Sequence, residues 1–186
     1  MAKRPLAVAV TGGIAAGKSE ALAAFARHGA VTLSADALVH DLLAHDDGVR
    51  DAIRERWGDD AVGDRSRIGE IVFRDRDELD WLERLLHPKT RAAVHAWLAT
   101  VDAQLAVVEV PLLYETGGEG RFDKVVVITA PAEVRTARRG DLADREARLV
   151  PDEEKLRRAD YAYVNDGSLD ALDAFVAHVV EDVCAS

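Results

Sequence analysis

Short apolar segments alternate with longer stretches of helical periodicity along this chain. The apolar segments predict five strands, at 6–10, 30–33, 105–110, 125–129 and 161–164. The first of them, Leu6 to Val10, is a continuous apolar run bounded by Pro5 and by glycines, which is typical of a strand buried on both faces. Apolar residues at helical spacing predict helices over 18–28 and 168–183.

The region between the second and third strands has helical periodicity throughout. It predicts a long helical stretch over 36–101, with breaks near Gly48, from Gly58 to Gly63, and at Pro88. After the fourth strand, Pro131 is expected in the first turn of a further helix, where its missing N–H is tolerated. Strands that alternate with helices favour a parallel sheet covered on both faces. We therefore predict one α/β domain with a helical insert.

Composition excludes several classes of protein. The chain has 186 residues, 48% of them apolar and 31% charged, which fits a soluble globular domain rather than a disordered chain. A single cysteine, Cys184, argues against a disulfide scaffold. No apolar run approaches the ~20 residues that span a bilayer, and the short run after Arg4 does not resemble a signal peptide. We expect a cytoplasmic protein.

The charge is strongly acidic overall, with one exception. The formal net charge of −10 disfavours binding to nucleic acid or to an anionic membrane. Between residues 135 and 158, however, there are eight basic and six acidic residues. Such a charge run is usually a solvated helix face, and composition alone favours that interpretation.

The strongest motif follows the first strand. Residues Gly12 to Ser19 match the phosphate-loop pattern G-x-x-x-x-G-K-[ST] in full. The glycines let backbone N–H groups point at phosphate oxygens, Lys18 brings a positive charge to the β- and γ-phosphates, and the Ser19 hydroxyl can bind Mg²⁺. A glycine-rich turn would match all four positions by chance only rarely. The motif predicts a nucleoside-triphosphate site.

Two acids follow predicted strands at the edge where parallel sheets bind ligands. Asp36 comes just after the second strand, where it could accept a proton from an attacking hydroxyl or simply cap the next helix. Glu109 comes near the end of the third strand, on the side where phosphate-loop proteins bind Mg²⁺, or it could cap a backbone group.

A phosphate loop changes the interpretation of the basic segment. Arginines on a flap over the triphosphate would spread the charge of the transferred group and exclude water. The candidates are Arg135, Arg138, Arg139 and Arg145.

Taken together, these residues resemble the dephospho-coenzyme A kinase family from end to end. The resemblance includes the phosphate loop, the Ala35-Asp36 pair with His40, and the Pro111-Leu112-Leu113-Tyr114-Glu115 run. Other matching positions lie in the insert and near the C-terminus: Arg65, Val72, Phe73, His87, Pro88, Arg135, Arg139, Arg145, Pro151, Lys155, Ala159, Asp160, Asn165 and Gly167. Many nucleotide-binding proteins share the phosphate loop, whereas the later motifs are more particular to this family.

The resemblance implies a nucleotide-kinase-like fold with a five-stranded parallel sheet in the order 2-3-1-4-5. It implies a core of about 1–35, 103–134 and 159–186, a helical acceptor-binding insert of about 36–102, and a lid of about 135–158. The implied reaction transfers a phosphoryl group from ATP, with Mg²⁺, to the ribose 3′-hydroxyl of dephospho-coenzyme A. We expect a small-molecule acceptor and a monomer or weak homo-oligomer.

The resemblance also implies roles for individual residues. Asp36 would be the base, while Lys18, Arg139 and Arg145 would stabilise the transferred group. Mg²⁺ would be held by Ser19 and, through water, by Glu109. The residues implied for ATP are Gly12, Gly13, Ile14, Ala15, Ala16, Gly17, Lys18, Ser19, Glu20, Arg135, Arg139, Asn165 and Gly167. Those implied for the acceptor are Asp36, His40, His87, Pro111, Leu112, Leu113 and Glu115.

This chain departs from the usual family pattern at three positions. Ser34 stands where an aspartate is usual, Glu20 where a threonine is common, and Leu149 where a glutamine is usual. The change at Ser34 leaves metal binding more dependent on Ser19, Glu109 and water.

Two other functions would fit some of these sequence motifs. A different small-molecule kinase, acting on a nucleoside monophosphate or a sugar acid, would carry the same phosphate loop. A GTP-binding switch is disfavoured, because the Asn-Lys-x-Asp guanine motif is absent from the sequence.

Overall fold

The structure is a computed structural model that describes residues 4–140 and 149–185. The chain divides into two compact units, one formed by residues 1–34 and 98–186 and the other by residues 35–97. The strands all belong to the first unit, and four helices make up most of the second.

The first unit is built on a five-stranded parallel sheet in the order β2-β3-β1-β4-β5. The strands are β1 (Leu6–Gly12), β2 (Val31–Ser34), β3 (Leu105–Glu109), β4 (Lys124–Thr129) and β5 (Tyr161–Val164). This confirms the predicted parallel sheet and its strand order. The first strand runs two residues further than expected, through Thr11 to Gly12, so the phosphate loop begins directly at the end of a central strand.

The described helices, in chain order, are α1 (Lys18–Arg27), α2 (Ala35–His45), α3 (Asp47–Trp57), α4 (Arg65–Arg74), α5 (Arg76–Thr100), α6 (Ala132–Arg139), α7 (Asp152–Arg158) and α8 (Leu169–Ala185). Single 3₁₀ turns lie at Asp59–Ala61 and Glu119–Arg121. Within the described part of the chain, no helix is both long and apolar enough to cross a membrane.

The two faces of the sheet bury different sets of residues. Alternate residues of β1, Val8 and Val10, pack with Phe25 of α1 and Val176 of α8 in the larger cluster. On the other face, Ala9 packs with Leu113 and neighbouring residues, and Leu156 of α7 packs against this cluster. Successive side chains of a strand point to opposite faces, so β1 is buried on both, as predicted.

The second unit has its own apolar core, formed by Leu43, Val49, Ile53, Ala61, Ile68, Leu82 and Leu86. Its helices break close to Gly48 and between Gly58 and Asp64, as predicted, and also at Asp75, which was not predicted. The first break is at Asp46, whose carboxylate caps α3 by accepting from the N–H of Val49 at 2.8 Å, and Gly48 lies inside the helix.

The predicted break at Pro88 is wrong, because α5 continues through it. A proline leaves the carbonyl four residues earlier without its helical donor. That residue is Arg84, which is exposed like Pro88 itself, so water can replace the missing donor.

Candidate active site

The phosphate loop leaves β1 through a glycine that no other residue could replace without distortion. Gly12 has a φ of +138°, and a Cβ built on it would lie 1.8 Å from the carbonyl oxygen of Ile128 in β4. Three residues later, Ala15 also has a positive φ, +58°, in the left-handed region. Backbone strain of this kind costs roughly 1–3 kcal/mol and is typical of ligand-binding loops.

The end of the loop is held by a buried asparagine. Asn165, 3% exposed, donates from Nδ2 to the carbonyl oxygen of Ala16 at 2.9 Å, and its Oδ1 accepts from the N–H of Gly167 at 3.1 Å. Gly17 has a φ of +103°, and a Cβ on it would come within 2.3 Å of that Nδ2 atom. The segment after β5 therefore fixes the phosphate loop directly.

Lys18 begins α1 and bends back over the loop. Its Nζ donates to the carbonyl oxygens of Gly13 at 2.8 Å and Gly12 at 3.3 Å. The exposed Ser19 follows in the first turn of α1, at the positive end of the helix dipole. The side chain of Glu20 is in an ion pair with Arg27 at 3.2 Å on the surface.

Arginines from α6 also reach the loop. A Cβ on Gly13 would lie 3.1 Å from Nη1 of Arg135, and Arg138 donates from Nη1 to the carbonyl oxygen of Ala15 at 3.0 Å. The structure thus places two of the four candidate flap arginines, Arg135 and Arg138, at the phosphate loop. The side chain of Arg139 and all of Arg145 lie outside the described residues.

Glu109 ends β3 beside the end of β2. It is 6% exposed, and its Oε2 accepts a long hydrogen bond of 3.4 Å from the Oγ of Ser34, its neighbour in the sheet register. Burial of a carboxylate is unfavourable without polar partners, and Ser34 is one of them.

Asp36 lies in the second unit, in the first turn of α2. The helix begins at Ala35, so Asp36 is inside it rather than at the capping position before it. Its side chain is exposed. His40, on α2, and His87, on α5, belong to the same unit.

Residues 111–115 make hydrogen bonds through their backbone and also contribute buried side chains. Thr11 donates from Oγ1 to the carbonyl oxygen of Pro111 at 3.3 Å, and the Leu112 carbonyl accepts from Oγ1 of Thr116. Leu113 is 1% exposed and belongs to a core cluster. Its side chain therefore packs inside the protein, and the expected contact of Leu113 with the acceptor stays a prediction.

Glu115 is likewise held inside the protein. Its Oε1 lies 2.8 Å from Nζ of Lys155, a side chain with no exposed surface, and accepts from the N–H of Val150 at 3.0 Å. The sequence had implied that Glu115 contacts the acceptor. The sequence motifs gave no specific role to Lys155, or to Asp152, whose Oδ2 lies 3.8 Å from Nη1 of Arg135.

Tyr114 lies in the same region, with the guanidinium of Arg158 4.4 Å from its ring centre. Burial raises the pKa of the Tyr114 hydroxyl above its usual range, even though the Arg158 charge opposes the shift. Tyr114 is therefore neutral at physiological pH and supports the segment by packing.

A metal held by protein side chains alone does not fit this site. Among residues 4–140 and 149–185, no three His, Cys, Asp or Glu side chains form a group that could hold a metal ion. The oxygen donors present, Ser19 in the first turn of α1 and Glu109 at the end of β3, fit an ion such as Mg²⁺, which keeps several waters and binds mainly to phosphates.

Comparisons with known proteins agree with this geometry. The chain is 39% identical to a dephospho-CoA kinase from Mesorhizobium japonicum over 96% of each chain. The crystal structure of TT1252 from Thermus thermophilus has a TM-score of 0.79 at 31% identity, covering 97% of this chain and 98% of that one. A dephospho-CoA kinase from Campylobacter jejuni has a TM-score of 0.70 at 27% identity, covering 99% and 100%. The dephospho-CoA kinase family model matches residues 6–171, and the chain belongs to that family.

Proposed function

We propose that this kinase transfers the γ-phosphoryl group of ATP to the ribose 3′-hydroxyl of dephospho-CoA, giving CoA and ADP. The observation that carries the proposal is a phosphate loop, with Lys18 and Arg135 at its glycines, in a chain of the dephospho-CoA kinase family. Phosphoryl transfer depends mainly on positioning and charge stabilisation, which these residues supply.

The triphosphate binds to the loop through backbone N–H groups and the positive end of α1. The residues that take part are Gly12, Gly13, Ile14, Ala15, Ala16, Gly17, Lys18, Ser19, Glu20, Arg135, Arg139, Asn165 and Gly167. Asn165 acts by holding the loop, since its side chain is bonded to Ala16 and buried.

The transfer itself uses one base and several cations. Asp36 accepts the proton of the acceptor hydroxyl as that oxygen attacks the γ-phosphorus. Lys18 leaves the carbonyl oxygens of Gly12 and Gly13 for the phosphate oxygens, which are stronger acceptors because they are charged. Arg139 and Arg145 stabilise the negative charge on the transferred group.

Mg²⁺ would be held by the Ser19 hydroxyl and, through water, by Glu109. Bound there, it neutralises charge on the β- and γ-phosphates. Ser34 takes the place of a second carboxylate and donates to Glu109, so it lowers the negative charge at this position by one. Metal binding consequently depends more on the triphosphate and water.

The residues proposed for the acceptor are Asp36, His40 and His87 in the second unit, and Pro111, Leu112 and Leu113 in the first. The experiment that tests the acceptor is a panel of dephospho-CoA, AMP and gluconate with purified protein, ATP and Mg²⁺. Turnover of dephospho-CoA alone supports the proposal. Turnover of AMP or gluconate, with dephospho-CoA inert, refutes it and identifies another small-molecule kinase.

A further inference from the structure

A chain of contacts connects Glu115 to the phosphate loop through α7. Within the described residues, its members lie in the first unit: Glu115, Lys155, Asp152, Arg135 and Gly13. Two of the links are ion pairs, Glu115 with Lys155 and Asp152 with Arg135; Lys155 and Asp152 are joined by the helix itself, and Arg135 lies beside Gly13.

One oxygen of Glu115 holds α7 at two points. Its Oε1 accepts from the N–H of Val150, two residues before the helix begins, and lies 2.8 Å from Nζ of Lys155 within the helix. Helix α7 has only seven residues, and a helix this short is not stable by itself. Its placement therefore depends on such tertiary contacts and on the packing of Leu156 in the core.

Asp152 lies between the two points held by Glu115, as the first residue of α7. Its Oδ2 lies 3.8 Å from Nη1 of Arg135, which is largely buried, with 13% of its side chain exposed. Both groups lie beside the loop, since a Cβ built on Gly13 would be 3.1 Å from Nη1 of Arg135 and 3.2 Å from Oδ2 of Asp152. Helix α7 thus brings a carboxylate to within ion-pair distance of the Arg135 guanidinium at the phosphate loop.

We propose that Glu115 and Lys155 are positioning residues, which fix α7 so that Asp152 holds Arg135 beside Gly13. When the triphosphate binds, its oxygens take the place of Asp152 as a partner of Arg135, which is already in place. The inference rests on the proposed use of ATP by this site. It also gives Glu115 a role different from contact with the acceptor.

The test is a double-mutant cycle that measures the effect of Arg135→Ala in two backgrounds. In the wild type we expect Arg135→Ala to lower kcat by about 100-fold, as for loss of one transition-state donor. In Lys155→Met the same change should cost less than about 10-fold, because Arg135 is already displaced and the effects are not additive. Equal effects of Arg135→Ala in both backgrounds would overturn the proposal.

A second readout separates positioning from contact with the acceptor. Glu115→Gln should lower kcat and weaken binding of a non-hydrolysable ATP analogue, with the KM for the acceptor within twofold of wild type. A raised acceptor KM with unchanged analogue binding would instead make Glu115 an acceptor contact and overturn the proposal. The matched control is Lys124→Met, which removes an exposed ion pair with Asp160 outside this chain of contacts.

An alternative background variant and a second readout complete the experiment. If Lys155→Met fails to fold, Asp152→Ala provides the second background, because it leaves the buried pair intact and removes only the contact to Arg135. The cycle is also measured on analogue binding, which needs no acceptor. Suppose that the wild-type protein fails to turn over dephospho-CoA while Arg135→Ala still weakens analogue binding less in the second background than in the wild type. That result would refute the proposed function and support the positioning role.

Discussion

Replacing Gly17 with alanine should disturb the contact that holds the phosphate loop. The new Cβ would lie 2.3 Å from Nδ2 of Asn165, well inside van der Waals contact, so the asparagine must move. Movement breaks its hydrogen bond to the carbonyl oxygen of Ala16. Because Asn165 is only 3% exposed, water cannot readily replace that partner.

Two contributions set the size of the effect. A buried polar group left without a partner costs about 1–3 kcal/mol. An alanine at a φ of +103° adds roughly 1–2 kcal/mol of backbone strain. Together they lower the free energy of unfolding by about 2–5 kcal/mol, and at about 2–4 °C per kcal/mol this lowers Tm by about 4–20 °C.

The assay is thermal unfolding of Gly17→Ala beside Gly29→Ala. Gly29 has a similar φ of +90°, but nothing lies within 4 Å of its added Cβ, so this control carries the backbone strain alone. In an Asn165→Ala background, Gly17→Ala should lower Tm little more than Gly29→Ala does, since the obstructing amide is gone. Equal Tm losses for Gly17→Ala and Gly29→Ala would refute the role of Asn165.

Three further predictions concern charge. Lys18→Ala should lower kcat by at least about 100-fold, and near-normal turnover would contradict its role at the phosphates. Asp36→Asn should lower kcat by about 10²–10⁴-fold while Tm and binding of an ATP analogue are retained; unchanged kcat would exclude the base. The hydrogen bond from Lys89, together with that from the Val49 N–H, lowers the pKa of Asp46. The charged Asp46 therefore stabilises the fold above the unfolded-state pKa, and this stabilisation is lost as pH falls through the folded-state pKa. Asp46→Asn keeps a capping side chain but loses the charge, so its Tm deficit should be constant from pH 7 to pH 5 and shrink below about pH 4; a deficit independent of pH would contradict this.

The strands could be predicted from the sequence because each one is specified by neighbouring residues. Each strand is a short apolar run, and the pattern at residues 12–19 specifies both a loop conformation and the helix after it. The order of the strands came from the family resemblance, since apolar runs alone do not determine which strands are neighbours.

The sequence-based predictions failed or were silent where solvent or residues distant in the sequence determine the local structure. Proline usually ends a helix, but Pro88 lies on an exposed face where water can replace the lost hydrogen bond. Lys155 lies in a charged stretch, and nothing local indicates that it is buried against Glu115, 40 residues earlier. The contacts of Asn165 and Asp152 with the phosphate loop are also long-range, so only the folded structure reveals them.

The central claim is tested most directly by following ADP and CoA together in one reaction. Purified protein is incubated with ATP and Mg²⁺, with and without dephospho-CoA, and the position of the new phosphate is determined by ³¹P NMR. We predict ADP release that depends on dephospho-CoA, with CoA phosphorylated at the 3′ position formed in equal amount. ADP release that is the same without dephospho-CoA, or with no CoA formed, would contradict the proposed reaction.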